Sequence, residues 1–197
     1  MHIPVWGQVN ETVGVGGIVA AGQRSIEHAE DIFSVEYKDN PKTPTDAFVK
    51  TANELLAPDV WVCPTLIAFG TVTHELADLR SVLRQTGMQY LPAWAQDEWS
   101  PARIITSTIL HWPDGFFAAM VPSQGIGRSH ARAWRAPAGR TDAAVPVALP
   151  GFSLPDELEL LVEVGLSPYE ALRSSTCEAA LFLTPQKIGV HPGRKVG

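Results

Sequence analysis

The stretch Ala20-Ala21-Gly22-Gln23-Arg24-Ser25-Ile26-Glu27-His28 decides how this chain is read. Upstream of it, Glu11 to Ala21 has helix length and stops at Gly22, a residue suited to the left-handed turn that closes a helix. Downstream, Arg24 to His28 reads as a strand with a histidine at its mouth. Ile3 to Val9, short and β-prone, reads as a strand before the helix. Strand, helix and strand within 28 residues predict a parallel pair, with loops at the strands' C-terminal ends carrying the chemistry.

The same alternation continues. Thr43 and Pro44 open a helix to Leu56, whose apolar positions Phe48, Val49, Ala52, Leu55 and Leu56 fall at helical spacing. Val60 to Leu66 reads as a third strand, with Pro64 forcing an end or an irregularity. Val72 to Gln85 reads as a helix, and Gly87 to Pro113, rich in Trp and Pro, as a long loop with helical pieces that shapes a pocket. Near the C-terminus, Ser153 with Asp156 suggests a capping box opening Pro155 to Val164. Ser167, Pro168 and Glu170 repeat the device before Tyr169 to Ser174. The fold class is α/β.

Composition narrows the partners. With 21 acidic and 15 basic residues, the formal charge of -6 gives no electrostatic reason to expect nucleic acid or an anionic membrane, so a small soluble substrate is the more natural partner. Two cysteines do not make a disulfide framework, and no run is long and apolar enough to span a bilayer. Met1-His2-Ile3-Pro4 lacks the regions of a signal peptide, which fits a cytoplasmic protein and equally a chain that has lost its true N-terminus. At 197 residues the chain holds one sizeable core, whereas a complete (β/α)8 barrel typically needs about 250 residues.

Two short segments carry chemistry, Ser25-Ile26-Glu27-His28 and Thr141-Asp142-Ala143, each placed where a strand should end. A neutral imidazole that holds an ion and a carboxylate that handles a water's proton are what a metal-dependent hydrolase needs. Other candidates carry less. Gly14-Val15-Gly16-Gly17 lacks the lysine of a phosphate loop and sits inside an apparent helix. His74, His111 and His130 have no ligand spacing. Cys63 reads as core packing and Cys177 as part of an Ala-rich helix. Glu27, one residue before His28, points to the opposite side of the strand and reads as structural.

The runs Ala20 to His28, Pro150-Gly151-Phe152-Ser153-Leu154, Asp156-Glu157-Leu158-Glu159-Leu160-Leu161-Val162-Glu163 and Pro168-Tyr169-Glu170-Ala171-Leu172-Arg173 together resemble the C-terminal half of the amidohydrolase superfamily, in its imidazolonepropionase-like and prolidase-like branch. The resemblance is strongest over residues 1–35 and 140–185. It implies a partial (β/α)8 TIM-type barrel, about strands 5 to 8 with their helices, in one domain over residues 1–197 that is N-terminally truncated. It implies one or two divalent metals, zinc or another, and hydrolysis of C–N bonds in cyclic amides or dipeptide-like substrates. On its pattern His28 matches the sixth-strand metal ligand. Asp142 matches the eighth-strand aspartate, which binds metal and, as the catalytic residue, takes the proton of the attacking water. Gln8 stands where the fifth-strand histidine belongs, and its neutral oxygen is a poorer partner for zinc than imidazole.

The first four strands of that pattern, with their His-x-His pair, have no counterpart here. Two readings therefore stand: a hydrolase incomplete as this chain, or a non-catalytic remnant or half of a split barrel that needs a complementing N-terminal half. An open flank predicts homo-oligomers or poor solubility. The basic, Trp-bearing stretch Gly127 to Arg135 departs from the apolar strand expected before Thr141, and residues 124–140 are read as aberrant, the mark of a frameshift or local sequence error.

Overall fold

The structure, a computed structural model, describes residues 5–28, 31, 32, 35, 60–68, 84, 87–99, 139–143, 148–163 and 165–183. The helices read over 44–56 and 72–85 (residue 84 apart), the loop beyond Trp99, His74, His111, His130 and the stretch 124–138 lie outside those residues.

Three short strands, β1 (Val5–Gly7), β2 (Gln23–Glu27) and β3 (Trp61–Cys63), form a parallel sheet in the order β1-β2-β3. Helix α1 (Gly14–Ala20) joins the first two. It is shorter than the sequence reading because residues 10–13 are spent on a turn in which the Asn10 carbonyl accepts from Val13 and Gly14 N–H. Gly22, at φ 86°, closes the helix as expected; its N–H donates to the Val19 carbonyl, a conformation that costs a residue with a Cβ more than glycine.

Register gives the sheet two unlike faces, because alternate residues of a strand point to opposite sides. Gly7 pairs with Ile26, and Ile26 with Val62, on one face. Ile26 and Val62 are buried there with Val15 and Ile18 of α1 and with Leu161 of α3 (Ser153–Glu163). On the other face Trp6, Ser25 and Trp61 lie in a row. The small, fully buried Ser25 separates two indoles that both pack on Phe182, at centroid distances of 5.2 and 5.5 Å. Glu27 and Cys63 are the next pair along this face.

The C-terminal helices are α3, α4 (Pro168–Arg173), a π-helical turn (Ser174–Glu178) and α5 (Ala179–Leu183), which holds Phe182. Ser167 makes the capping box that its spacing predicts: its hydroxyl accepts from Glu170 N–H at 3.2 Å while the Glu170 carboxylate accepts from Ser167 N–H at 2.8 Å. Ser153 does not cap α3. It is the first residue of the helix, and its hydroxyl donates to the Leu149 carbonyl at 2.6 Å, so it seals the incoming turn instead. A smaller cluster joins Leu149 to Trp99, which ends helix α2 (Ala93–Glu98), with Met88 and Leu91 packed against them. No helix among the described residues is long and apolar enough to cross a membrane.

Candidate functional site

Parallel register delivers the ends of β1 and β2 to one edge of the sheet. Gly7 is level with Ile26, so Gln8 leaves β1 beside the point where His28 leaves β2. The His28 N–H donates to the Cys63 carbonyl at 2.9 Å, which extends the β2–β3 ladder by one bond and fixes the histidine backbone at that edge. Asp142 arrives from far along the chain, and its Oδ2 lies 3.6 Å from His28 Nε2. The sequence-predicted pair is therefore brought together. Gln8 reaches the same edge and lines an open depression of about 450 Å³ with Val9, Asn10, Glu11 and Thr12. The Val9 N–H donates to the Asp31 carboxylate at 2.8 Å, fastening the segment after Gln8 to the segment after His28. Burial raises the Asp31 carboxyl above its ordinary range, against the lowering effect of the Val9 N–H.

A third residue completes the arrangement. Thr65 Oγ1 lies 2.7 Å from His28 Nδ1 and donates its own proton to the Pro64 carbonyl at 2.8 Å. With its proton given to the Pro64 carbonyl the hydroxyl accepts at His28, and that arrangement corresponds to the Nδ1–H tautomer of the imidazole. In the neutral ring Nε2 is then the basic nitrogen, and it is the nitrogen that faces Asp142.

The backbone carries the cost of this geometry. Among the described residues the non-glycine residues at positive φ are His28 (69°), Thr65 (51°) and Asp142 (48°). Aspartate and histidine tolerate the left-handed region better than most, but for a β-branched threonine it is a true outlier. Each such residue costs about 1–3 kcal/mol and persists only where its surroundings over-determine it. Three of them meet around one imidazole.

Two supports hold the three in place. Arg140 Nη1 bonds Glu27 Oε2 at 2.7 Å and reaches Cys63 Sγ at 3.8 Å, while Ser25 Oγ donates to Glu27 Oε1 at 2.6 Å. Burial is the largest influence on the Arg140 charge and works against it, yet Glu27 and the Cys63 sulfur together hold the guanidinium pKa above its usual value. Burial, with Glu27 nearby, pushes the Cys63 thiol up to about 12, so Cys63 packs and does not attack, as its apolar strand implied. Glu27 is structural, and what it does is bind the chain leading into Asp142. The second support is Glu157 of α3, fully buried, whose carboxylate accepts from Leu66 N–H at 3.1 Å and Ile67 N–H at 2.7 Å.

Sequence reasoning missed Thr65, Arg140 and Glu157 as parts of the site. Proline before Thr65 signalled an irregularity at that strand end, and the irregularity is what turns the hydroxyl toward His28. For Arg140, placed in the stretch read as aberrant, no local signal existed, because its partner lies 113 residues away.

Metal fits the His28–Asp142 pair on geometric grounds. Donors at zinc–ligand lengths of about 2.0–2.2 Å in tetrahedral arrangement stand roughly 3.4 Å apart, close to the observed 3.6 Å. The donor set, one imidazole nitrogen and one carboxylate oxygen, suits zinc. Among the described residues no group of three or more His, Cys, Asp or Glu gathers as a complete ligand set.

The sequence matches no protein-family model and no curated protein. Among solved structures, the chain is similar in fold to an amidohydrolase. That protein is bottromycin amidohydrolase, with a TM-score of 0.54 and 22% identity over 91% of this chain. The chain spans 40% of that protein's length, and at this identity the likeness is one of fold.

Proposed function

We propose that this chain supplies the His28–Asp142 part of a divalent metal centre of amidohydrolase type. In this reading its three parallel strands and the segment Thr141–Ala143 belong to the C-terminal half of a (β/α)8 barrel. The observation that carries the proposal is the meeting of three strained residues, with His28 Nε2 turned to Asp142 by Thr65. Fold likeness to an amidohydrolase supports it.

The roles follow from the atoms. His28 offers Nε2 as a neutral donor. Asp142 offers one carboxylate oxygen beside it, accepts the proton of a water attacking the amide carbonyl, and returns that proton to the departing nitrogen. A bound zinc or similar ion would supply Lewis acidity and bring the pKa of its water toward about 7. Gln8, at the rim of the depression, adds at most a neutral oxygen. Substrates of the proposed class are cyclic amides or dipeptide-like compounds, whose scissile C–N bond would lie over the shared edge of the sheet.

Two donors do not fix a tetrahedral ion, so the remaining ligands come from outside the described residues. The test is hydrolysis of a panel of cyclic amides and dipeptides with added Zn²⁺, using the chain alone and together with a separately expressed N-terminal half that carries a His-x-His pair. The proposal expects metal-dependent turnover on reconstitution, abolished by His28→Ala or Asp142→Asn. The ligand count also favours a second reading, a non-catalytic remnant, for which no combination would turn over substrate.

A further inference from the structure

We infer that Glu157 is a positioning residue for the His28 donor, acting through the turn at residues 66–68 and Thr65. The inference rests on the reading of His28 as a metal ligand.

The chain of contacts is continuous. Glu157 is 0% exposed and spends both carboxylate oxygens on two successive backbone N–H groups about 90 residues away in sequence. Those groups, on Leu66 and Ile67, are donors at the start of a short helical turn, where no intrahelical carbonyl is in reach. A serine, an asparagine or a water would satisfy such donors without burying an ionisable group, so a carboxylate is a costly choice for capping alone. What it adds is a two-point clamp on the residues immediately after Thr65. Thr65 sits at φ 51°, which a threonine keeps only under outside constraint. Releasing the clamp frees Thr65 to return to an ordinary conformation, and its hydroxyl then leaves His28 Nδ1. The imidazole loses the partner that keeps its proton on Nδ1, and with it the preference for a basic Nε2 facing Asp142.

The experiment reads the tautomer directly. In the full chain labelled with ¹⁵N-histidine, the His28 ring signals are assigned by their loss in His28→Gln and followed at a pH where the ring is neutral. Wild type should show the Nδ1–H form. Thr65→Ser should keep it, whereas Thr65→Val and Glu157→Gln should shift the ring toward Nε2–H. Co²⁺ titration should show about tenfold weaker binding for Glu157→Gln, in line with other residues that orient a ligand without touching the ion.

A folded Glu157→Gln with the wild-type tautomer and Co²⁺ affinity would overturn the inference. Glu157→Met, which removes the buried charge, takes its place if Glu157→Gln does not fold. Failure of both to fold would also overturn it, making Glu157 a folding residue. The tautomer measurement needs no metal. Absence of Co²⁺ binding by wild type would defeat the metal reading and leave the result on Glu157 standing.

Discussion

Arg140 Nη1 lies 2.7 Å from Glu27 Oε2, and through this contact the segment carrying Asp142 is fastened to the strand carrying His28. The pair spans 113 residues of sequence, yet each partner is within two residues of a proposed ligand. Arg140 is half exposed, so the ion pair should add little to global stability, under about 1 kcal/mol. Its effect is local. Arg140→Ala is expected to leave the melting temperature nearly unchanged while weakening metal binding by roughly tenfold. A double-mutant cycle with Glu27→Gln should show coupling in metal affinity, and additive losses there would contradict the role.

Glu157 makes stability depend on pH. Burial raises its carboxyl from an ordinary 4.5 to about 7, outweighing the two N–H groups that favour the charged form. Between those values the folded chain holds a proton that the unfolded chain has released. Stability therefore falls as pH rises from about 4.5 to about 7, by roughly 3 kcal/mol if this group acts alone. Urea unfolding of wild type against Glu157→Gln across this window checks the sign, and the variant should show a flatter profile.

Helix α3 shows why Glu157 escaped a reading by pattern. Its buried residues are Ser153, Glu157 and Leu161, a stripe at i, i+4 and i+8 whose first two members are polar. Hydrophobic periodicity looks for apolar residues on the buried face, and here Leu154 and Val162 are the exposed ones. Local signals fared better. The Ser167 capping box, the Gly22 helix end and the strand ending at His28 all depend on neighbours in sequence and were legible. Thr65 and Arg140 work through partners 37 and 113 residues away, and no spacing rule reaches that far.

Close approach at Gly139 gives a packing prediction. A Cβ there would press on the hydroxyls of Ser174 and Ser175 in the π-helical turn, and Ser174 is held by its bond to the Ala171 carbonyl. Gly139→Ala should cost about 1–3 kcal/mol. Adding Ser175→Ala should recover part of the loss in thermal melts, since it removes one of the two clashing oxygens.

The two cysteines should differ in reactivity. Cys63 is buried with its thiol raised to about 12, and Cys177 is exposed. A thiol reagent at pH 8 should modify one cysteine in the native chain and two in denaturant. Two fast-reacting thiols in the native chain would contradict the burial of β3.

If His28 and Asp142 hold a divalent ion together, as proposed, zinc affinity depends on both side chains. Calorimetric Zn²⁺ titration of the full chain, His28→Ala, Asp142→Asn and Gln8→His tests it most directly. Wild type should bind weakly, each of the first two variants at least tenfold more weakly, and Gln8→His more tightly. Zinc affinity unchanged by both His28→Ala and Asp142→Asn would contradict it.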